Sequence, residues 1–408
     1  MSDYLPPEVL QDILKWLPVK TLLRFRIVSK HWYSLISNPN FISQHLLHTT
    51  LRTPPHALFS YCTYDLNRPS LLIEEHYSLR FDNDDSFDEY MKPEFPFKSS
   101  GFGFGIVGCC NGLLCLADHL SDDKWCYLHL WNPSVGKSVA VAVPFKGSGS
   151  YFPHFGFGFD ELTNDYKVVA YMKPLDKGVQ PWAEIYSLRS RIWLEISTKG
   201  LRYPLLTVGE EPINLNGVAH WYGISSTEVL GDPVHESIVT FSFKDEVYGE
   251  MMLPAKGSLP YKGYRNLMIY QDSLAFIDVA DFGLCCTWVM KNYGVQESWT
   301  LLFKVGAPVR FGRPIGFRMN GELVVAGMKG ELDVECSRKS LVSYDPKSKL
   351  VKDLVIWGSD EIKDYRKDEL ENVVVTFYLG RYMESLVLLD KVASTPEHID
   401  TSDRSLLM

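Results

Sequence analysis

Much of what the 408-residue sequence lacks bears on function. No uncharged apolar run approaches the roughly 18 residues that a membrane-spanning helix needs, so membrane insertion is not expected. The opening "MSDYLPPEVL" has no basic segment followed by an apolar one, so no secretory leader is expected. The chain is therefore expected in the cytoplasm or nucleus with its thiols reduced. Basic charge is in deficit, with 41 Lys and Arg against 50 Asp and Glu and a formal net charge of −9. Phosphate backbones and anionic headgroups are bound by clustered cations, so nucleic acid is not an expected partner. The G-x-S-x-G, H-E-x-x-H and P-loop patterns are all missing.

Cysteine is present, but not in a pattern that carries chemistry. Cys62, Cys109, Cys110, Cys115, Cys126, Cys285, Cys286 and Cys336 sit in apolar surroundings, with no second pair or His at zinc-like spacing. They read as small buried hydrophobes, and neither a metal nor a cofactor is expected. "GFGIVG" at residues 103–108 formally fits G-x-G-x-x-G, yet "CCNGLLCL" follows it as turn and strand where a dinucleotide site needs a helix. These glycines read as close approach between sheets. His119, His129, His154 and His220 are dispersed, and His220 in "GVAHWYG" follows a hairpin turn, the setting of a structural histidine. The acidic run at residues 82–89 and the tail at 395–403 read as solvated segments.

What is present divides into two kinds of chain. The composition, 46% hydrophobic and 22% charged, is that of a folded globular protein, and the length suits one small and one large domain. Helical periodicity is confined to the first fifty residues. Val9, Leu10, Ile13, Leu14 and Leu17 share a face after a Pro-Pro start, and Pro18 closes that helix. A second face runs through Leu22, Leu23, Phe25 and Val28, and a third pattern carries Trp32, Leu35 and Ile36 before the turn-like "SNPN". Three helices in so few residues make a core only a few side chains deep, which without disulfides or metal calls for a partner. The boundaries expected are a helical unit over residues 1–47, a linker over 48–55 containing Thr53, Pro54 and Pro55, an all-β domain over 56–392 and a flexible tail over 393–408.

Beyond residue 56, short apolar runs alternate with Gly, Asn, Asp and Pro, the pattern of strands and hairpins. An aromatic before a small polar turn recurs about every fifty residues, at Trp131, Tyr186, Phe241, Trp288 and Tyr344. Upstream of four of these lie tight-turn dipeptides, Asn111 with Gly112, Asn216 with Gly217, Gln271 with Asp272 and Asn320 with Gly321. Four strands per repeat is the mark of propeller blades. Five repeats are visible, and the runs left over near residues 57–64 and 373–390 would close the ring by sharing a sixth blade. A six-bladed propeller is the expected large domain, with an irregular sandwich as the competing all-β architecture.

The string "LPPEVLQDILKWLPVKTLLRFRIVSKHWYSLISNPNFISQHL" at residues 5–46 resembles the F-box, a three-helix module that docks on the Skp adaptor of cullin-RING ubiquitin ligases. Downstream, "GCCNGLLCL", "LWNPSVGK" and "GFGFDELTNDYKVV" resemble the F-box-associated, kelch-like region of a large plant family. Ser29 stands where many members carry Cys. The resemblance implies an adaptor-docking set of Leu5, Pro6, Val9, Ile13, Leu14, Leu17, Pro18, Leu22, Leu23, Val28 and Trp32, some at the interface and some holding the helices together. Trp32 and Phe25 are expected nearer the core, and Leu5, Pro6, Leu17 and Pro18 nearer the partner.

The function so implied is that of a substrate receptor: the helices dock on a Skp-type adaptor and through it a cullin-RING ligase, and the propeller recruits a target protein for ubiquitination and proteasomal degradation. No residue would do covalent chemistry, because the gain comes from effective concentration. Loops at residues 173–181 and 227–235, rich in Gly, Pro and charge, are candidates for meeting the target. Two rivals are a non-degradative scaffold or decoy that still binds the adaptor, and a propeller hydrolase or oxidase with an incidental helical arm.

Overall fold

The computed structural model describes residues 6–65, 73–83, 86–97, 103–119, 126–144, 151–174, 180–201, 205–208, 212–225, 235–255, 263–280, 284–306, 313–326, 341–354 and 373–387. The expected tail at 393–408 and Leu5 lie outside them.

Four helices come first: α1 (Pro7–Leu14), α2 (Val19–Arg26), α3 (Lys30–Ile36) and α4 (Pro39–Arg52). Sequence reading gave three, because "SNPN" looked like a turn that stops the chain. It is a helix start. Asn38 is the N-cap of α4, its side chain accepting the Asn40 N–H at 2.9 Å, and Pro39 takes the first helical position, where a missing N–H costs nothing. The same helix runs to Arg52, through the first residues of the expected linker, so only Thr53, Pro54 and Pro55 separate it from the first strand at His56.

Among the described residues the strands form six antiparallel sheets, five of four strands and one of five, the fifth arising where its innermost strand is broken in two. Their innermost strands are Val373–Tyr382, Phe104–Cys110, Tyr151–Asp160, a broken strand of Leu205–Val208 and Ile213–Leu215, Gly263–Tyr270, and Arg313–Phe317, and neighbouring ones contact each other in that order until the ring closes. The five anchoring aromatics all fall on third strands: Trp131 on Cys126–Asn132, Tyr186 on Trp182–Ser187, Phe241 on His235–Ser242, Trp288 on Cys285–Met290 and Tyr344 on Leu341–Tyr344. The repeat spacing is thus the spacing of blades. The missing sixth repeat has the predicted cause. The first blade is built from both ends of the domain, His56–Asp65 pairing with Val373–Tyr382 in a register that runs from His56 opposite Tyr382 to Asp65 opposite Val373. Closure leaves no inner edge free to pair elsewhere.

Apolar burial follows this geometry. Six clusters fill the six gaps between neighbouring blades, and a seventh lies in the helical unit. The "GFGFD" run illustrates how sequence sets the fit. Phe155 and Phe157 turn toward the second blade, while a Cβ on Gly156 would come within 2.6 Å of the Trp221 ring and one on Gly158 would collide with the Phe243 ring, both of the fourth blade. Only glycine lets these blades approach so closely. Ion pairs add clamps across three gaps, buried Lys167 to partly exposed Glu246 at 2.6 Å, Arg265 to half-buried Glu236 at 2.7 Å and the buried pair of Arg318 and Asp82 at 3.1 Å.

Strand alternation sorts the connections onto two faces. The first-to-second and third-to-fourth turns, such as Asn111 with Gly112 and residues 133–136, lie on the face where the helical unit joins. Asn111 and Gly112 have φ of 50° and 80°, and Asn216 and Gly217 of 55° and 72°, the left-handed pairs that a two-residue hairpin needs. The strand ends that lead into the second-to-third connections and into the next blade lie on the opposite face. Residues 173–181 and 227–235 bridge second and third strands, and most of each lies outside the described residues.

Candidate functional site

The helical unit, though only about fifty residues long, leaves many large apolar side chains in water. Val9 is 41% exposed, Ile13 50%, Trp16 59%, Ile27 86%, Val28 68% and Tyr33 49%. Their positions follow from short helices with fixed ends. Val9 and Ile13 share one side of α1, four residues apart. Helix α2 stops at Arg26, so Ile27 and Val28 lie in the corner before Ser29, whose hydroxyl accepts the Trp32 N–H at 3.2 Å and starts α3. Arg26 braces that corner, its Nε donating to the Ser37 hydroxyl at 2.9 Å and its guanidinium lying over the Tyr33 ring at 4.3 Å. Buried His45 ties α4 back to the first turn, Nε2 standing 2.9 Å from the Leu17 carbonyl. Burial pushes its pKa down, partly countered by that carbonyl.

The residues singled out from sequence divide by burial. Pro6, Val9, Ile13, Pro18 and Val28 are exposed, and Leu17, Leu23 and Trp32 are half-buried. Leu14 and Leu22 are buried in the helical core with Val19, Leu35, Ile36 and Phe41. They form the core beneath the exposed side chains. Phe25, expected near the core, is 36% exposed and rests edge-on against Trp32 at 5.4 Å. Trp16, Ile27 and Tyr33 were missed. Trp16 and Tyr33 sit off the periodic apolar stripe, and for Ile27 the available signal was the Ile-Val pair that follows the last arginine of α2.

On the propeller, a cavity of about 270 Å³ lies among the inner strands, with Asp82, Arg381 and His56 in its wall. These groups are engaged in structural pairs. Asp82 accepts from Arg318 Nε at 3.1 Å and from the Met319 N–H at 2.9 Å, Arg381 donates to Asp272 at 3.0 Å, and His56 stacks on Tyr90 at 4.4 Å. His220 is wholly buried, Nδ1 at 3.2 Å from the Ile213 carbonyl and Nε2 at 2.7 Å from the Tyr293 hydroxyl. Burial lowers its pKa to about 4, against the pull of backbone contacts. Burial also pushes the Cys110 and Cys285 thiols up to about 12, far from the thiolate range. Residues 103–108 run into the innermost strand of the second blade, followed by the hairpin at Asn111, and a Cβ on Gly108 would meet Phe157 of the third blade at 3.8 Å. Among the described residues no cluster of His, Cys, Asp and Glu could hold a metal ion.

Comparison with known proteins matches residues 72–389 to the F-box associated beta propeller domain and residues 3–44 to the F-box domain. The chain belongs to this F-box protein family. Among its relatives in Arabidopsis thaliana are F-box protein At3g07870, 28% identical over 392 residues that cover 87% of this chain and 88% of the relative, and F-box protein CPR1, 26% identical over 375 residues covering 86% and 84%. F-box/kelch-repeat protein At3g23880 is 26% identical over 331 residues, covering 76% and 82%. The exposed apolar residues of α1 and of the corner between α2 and α3 are therefore exposed residues of an F-box, the domain whose general role is to bind a Skp-type adaptor.

Proposed function

We propose that this F-box protein is the substrate receptor of a Skp-cullin-F-box ubiquitin ligase, acting without catalytic residues of its own in the cytoplasm or nucleus. The observation that carries the reading is the water-exposed apolar surface of the helices, above all Ile13, Ile27 and Val28. Side chains of this size gain about 25 cal/mol for each Å² they hide, and the fold itself offers them nothing to hide against. An adaptor surface does. Arg24 and Lys30 flank the patch, so the complementary surface is apolar and rimmed with acid.

The target would meet the face opposite the helices. The described strand ends that lead into the second-to-third connections and into the next blade stand there, including residues 92–97 and 252–255. Variable loops on a rigid ring are the usual place for recognition. Holding a target there raises its local concentration at the ligase, which leads to ubiquitination and degradation.

The test uses Ile13→Glu with Val28→Glu, both at exposed positions, so the fold should survive; changing buried Leu22 would confuse docking with unfolding. Affinity for a recombinant plant Skp adaptor should fall at least 100-fold with the melting temperature unchanged. Undiminished binding would remove the docking claim. Proteins captured by the native chain should accumulate when the proteasome is blocked. A captured partner whose level ignores that block would favour a scaffold or decoy.

A further inference from the structure

The two units are joined twice, once by the covalent link at residues 53–55 and once by residues 383–387, which leave the closing strand at Tyr382. Ser385 and Leu386 are wholly buried. Asn132, in the "LWNPSVGK" run of the second blade, is also wholly buried and grips this segment from 253 residues away in sequence. Its Nδ2 donates to the carbonyls of Ser385 at 3.2 Å and Val387 at 3.0 Å and lies 3.2 Å from the Ser385 hydroxyl. Its Oδ1 accepts the Ser134 N–H at 3.0 Å and the Tyr382 hydroxyl at 3.4 Å. Every hydrogen-bonding position of this buried amide is used, so release of the segment would strand several polar groups.

The outcome is the placement of Leu386. It enters the core of the helical unit against Leu14, Val19, Leu22, Ile36 and Phe41, with Val135 of the same gripping turn at the margin. A side chain from the end of the propeller thus completes the F-box core. A single short link would let the helices pivot, whereas a second tether fixes the angle.

We propose that residues 383–387 are a positioning strap, with Leu386 and Asn132 as its positioning residues, that locks the docking helices to the propeller in one orientation. Its consequence for ubiquitin transfer rests on the adaptor-docking reading above: a fixed joint holds the target at one distance from the ligase, and a loose one spreads it over a larger volume.

The experiment uses the full chain with spin labels at Arg24→Cys on α2 and Lys291→Cys on the fifth blade. The native background should give one narrow distance distribution. Leu386→Ala and Asn132→Ala should broaden it at least two-fold and speed amide exchange in α1 to α3 at least ten-fold, with propeller amides unchanged, and Leu386→Met should restore native behaviour. A distribution that stays narrow in both alanine variants overturns the strap. Propeller amides that exchange faster along with the helices also overturn it, because Leu386 would then only stabilise the whole chain. A native chain with a narrow distribution that binds no adaptor would retire the docking reading and leave the strap standing.

Discussion

The propeller turns its apolar faces onto neighbouring blades, one cluster in each of six gaps, and ties its first strand to its last. The helical unit keeps six of its own side chains buried in its core, borrows Leu386 from the propeller and leaves Ile27 and Val28 largely in water. Both are built from ordinary apolar residues. The difference is where the apolar surface is concentrated: between the blades in the propeller, and partly at an exposed corner in the helices. On the proposed function, the ring closed on itself is the rigid display and the incomplete helical unit is the plug.

Removing residues 373–408 breaks this contrast most severely. It deletes the strand that closes the first blade and the Leu386 that fills the helical core. The inner edge of His56–Asp65 would then be unpaired and two clusters opened. The expected outcome in calorimetry is loss of the single cooperative transition, with exposed apolar surface detected by dye binding. A sharp native-like transition in the truncated chain would show that the ring does not depend on closure.

Gly158→Ala tests the ring alone. Its new methyl would fall on the buried Phe243 ring, and overpacking of this kind costs about 1 to 3 kcal/mol. Urea unfolding should show that loss with adaptor affinity unchanged, because the third and fourth blades carry no residue of the proposed docking surface. A neutral result would mean that the blades are not packed to contact there.

Two shifted histidines give the propeller a pH dependence, to which buried His45 adds one of the same sign in the helices. His220 is held neutral in the fold with a pKa of about 4, against 6.5 for the free side chain. Between those values the unfolded chain binds a proton that the folded chain does not. Stability supplied by the neutral ring is therefore full above pH 6.5 and declines as pH falls toward 4, by about 1.4 kcal/mol per pH unit. His154, also brought to about 4 by burial, adds to the slope. In His220→Gln the slope of unfolding free energy against pH should lessen by about 1.4 kcal/mol per unit, and an unchanged slope would mean that His220 titrates freely.

Legibility from sequence also differed between the two regions. The blades could be counted because each repeat puts an aromatic on its third strand and a left-handed turn after its first, which local patterns reveal. The shared blade followed from the topological cost of open edges. In the helices, "SNPN" carried two opposite meanings, turn and helix start, and Asn38 with Pro39 resolves only when the apolar face beyond it is counted. Ile27 escaped because periodicity finds what a helix buries and is silent about what it leaves out. Leu386 was invisible for a different reason: its partners are far away in sequence, and no local pattern marks a residue that completes another domain's core.

The smallest predicted effect sharpens the contrast between the two regions at single-residue scale. Gly112 and Gly217 occupy equivalent left-handed positions in their hairpins, φ 80° and 72°. Alanine at either should cost about 1 kcal/mol from backbone strain. A Cβ at Gly217 meets nothing closer than the Phe159 carbonyl at 3.6 Å, so the cost there ends with the strain. At Gly112 the same methyl would press on the Met383 carbonyl and the Ser385 hydroxyl, which hold Leu386 in place. Gly112→Ala should therefore loosen the helices, seen as faster amide exchange in α2 and α3, while Gly217→Ala leaves them untouched at a smaller loss measured by urea. Equal behaviour of the helices in both variants would mean that the turn of the second blade does not feel the segment beside it, and that the two regions meet only through residues 53–55.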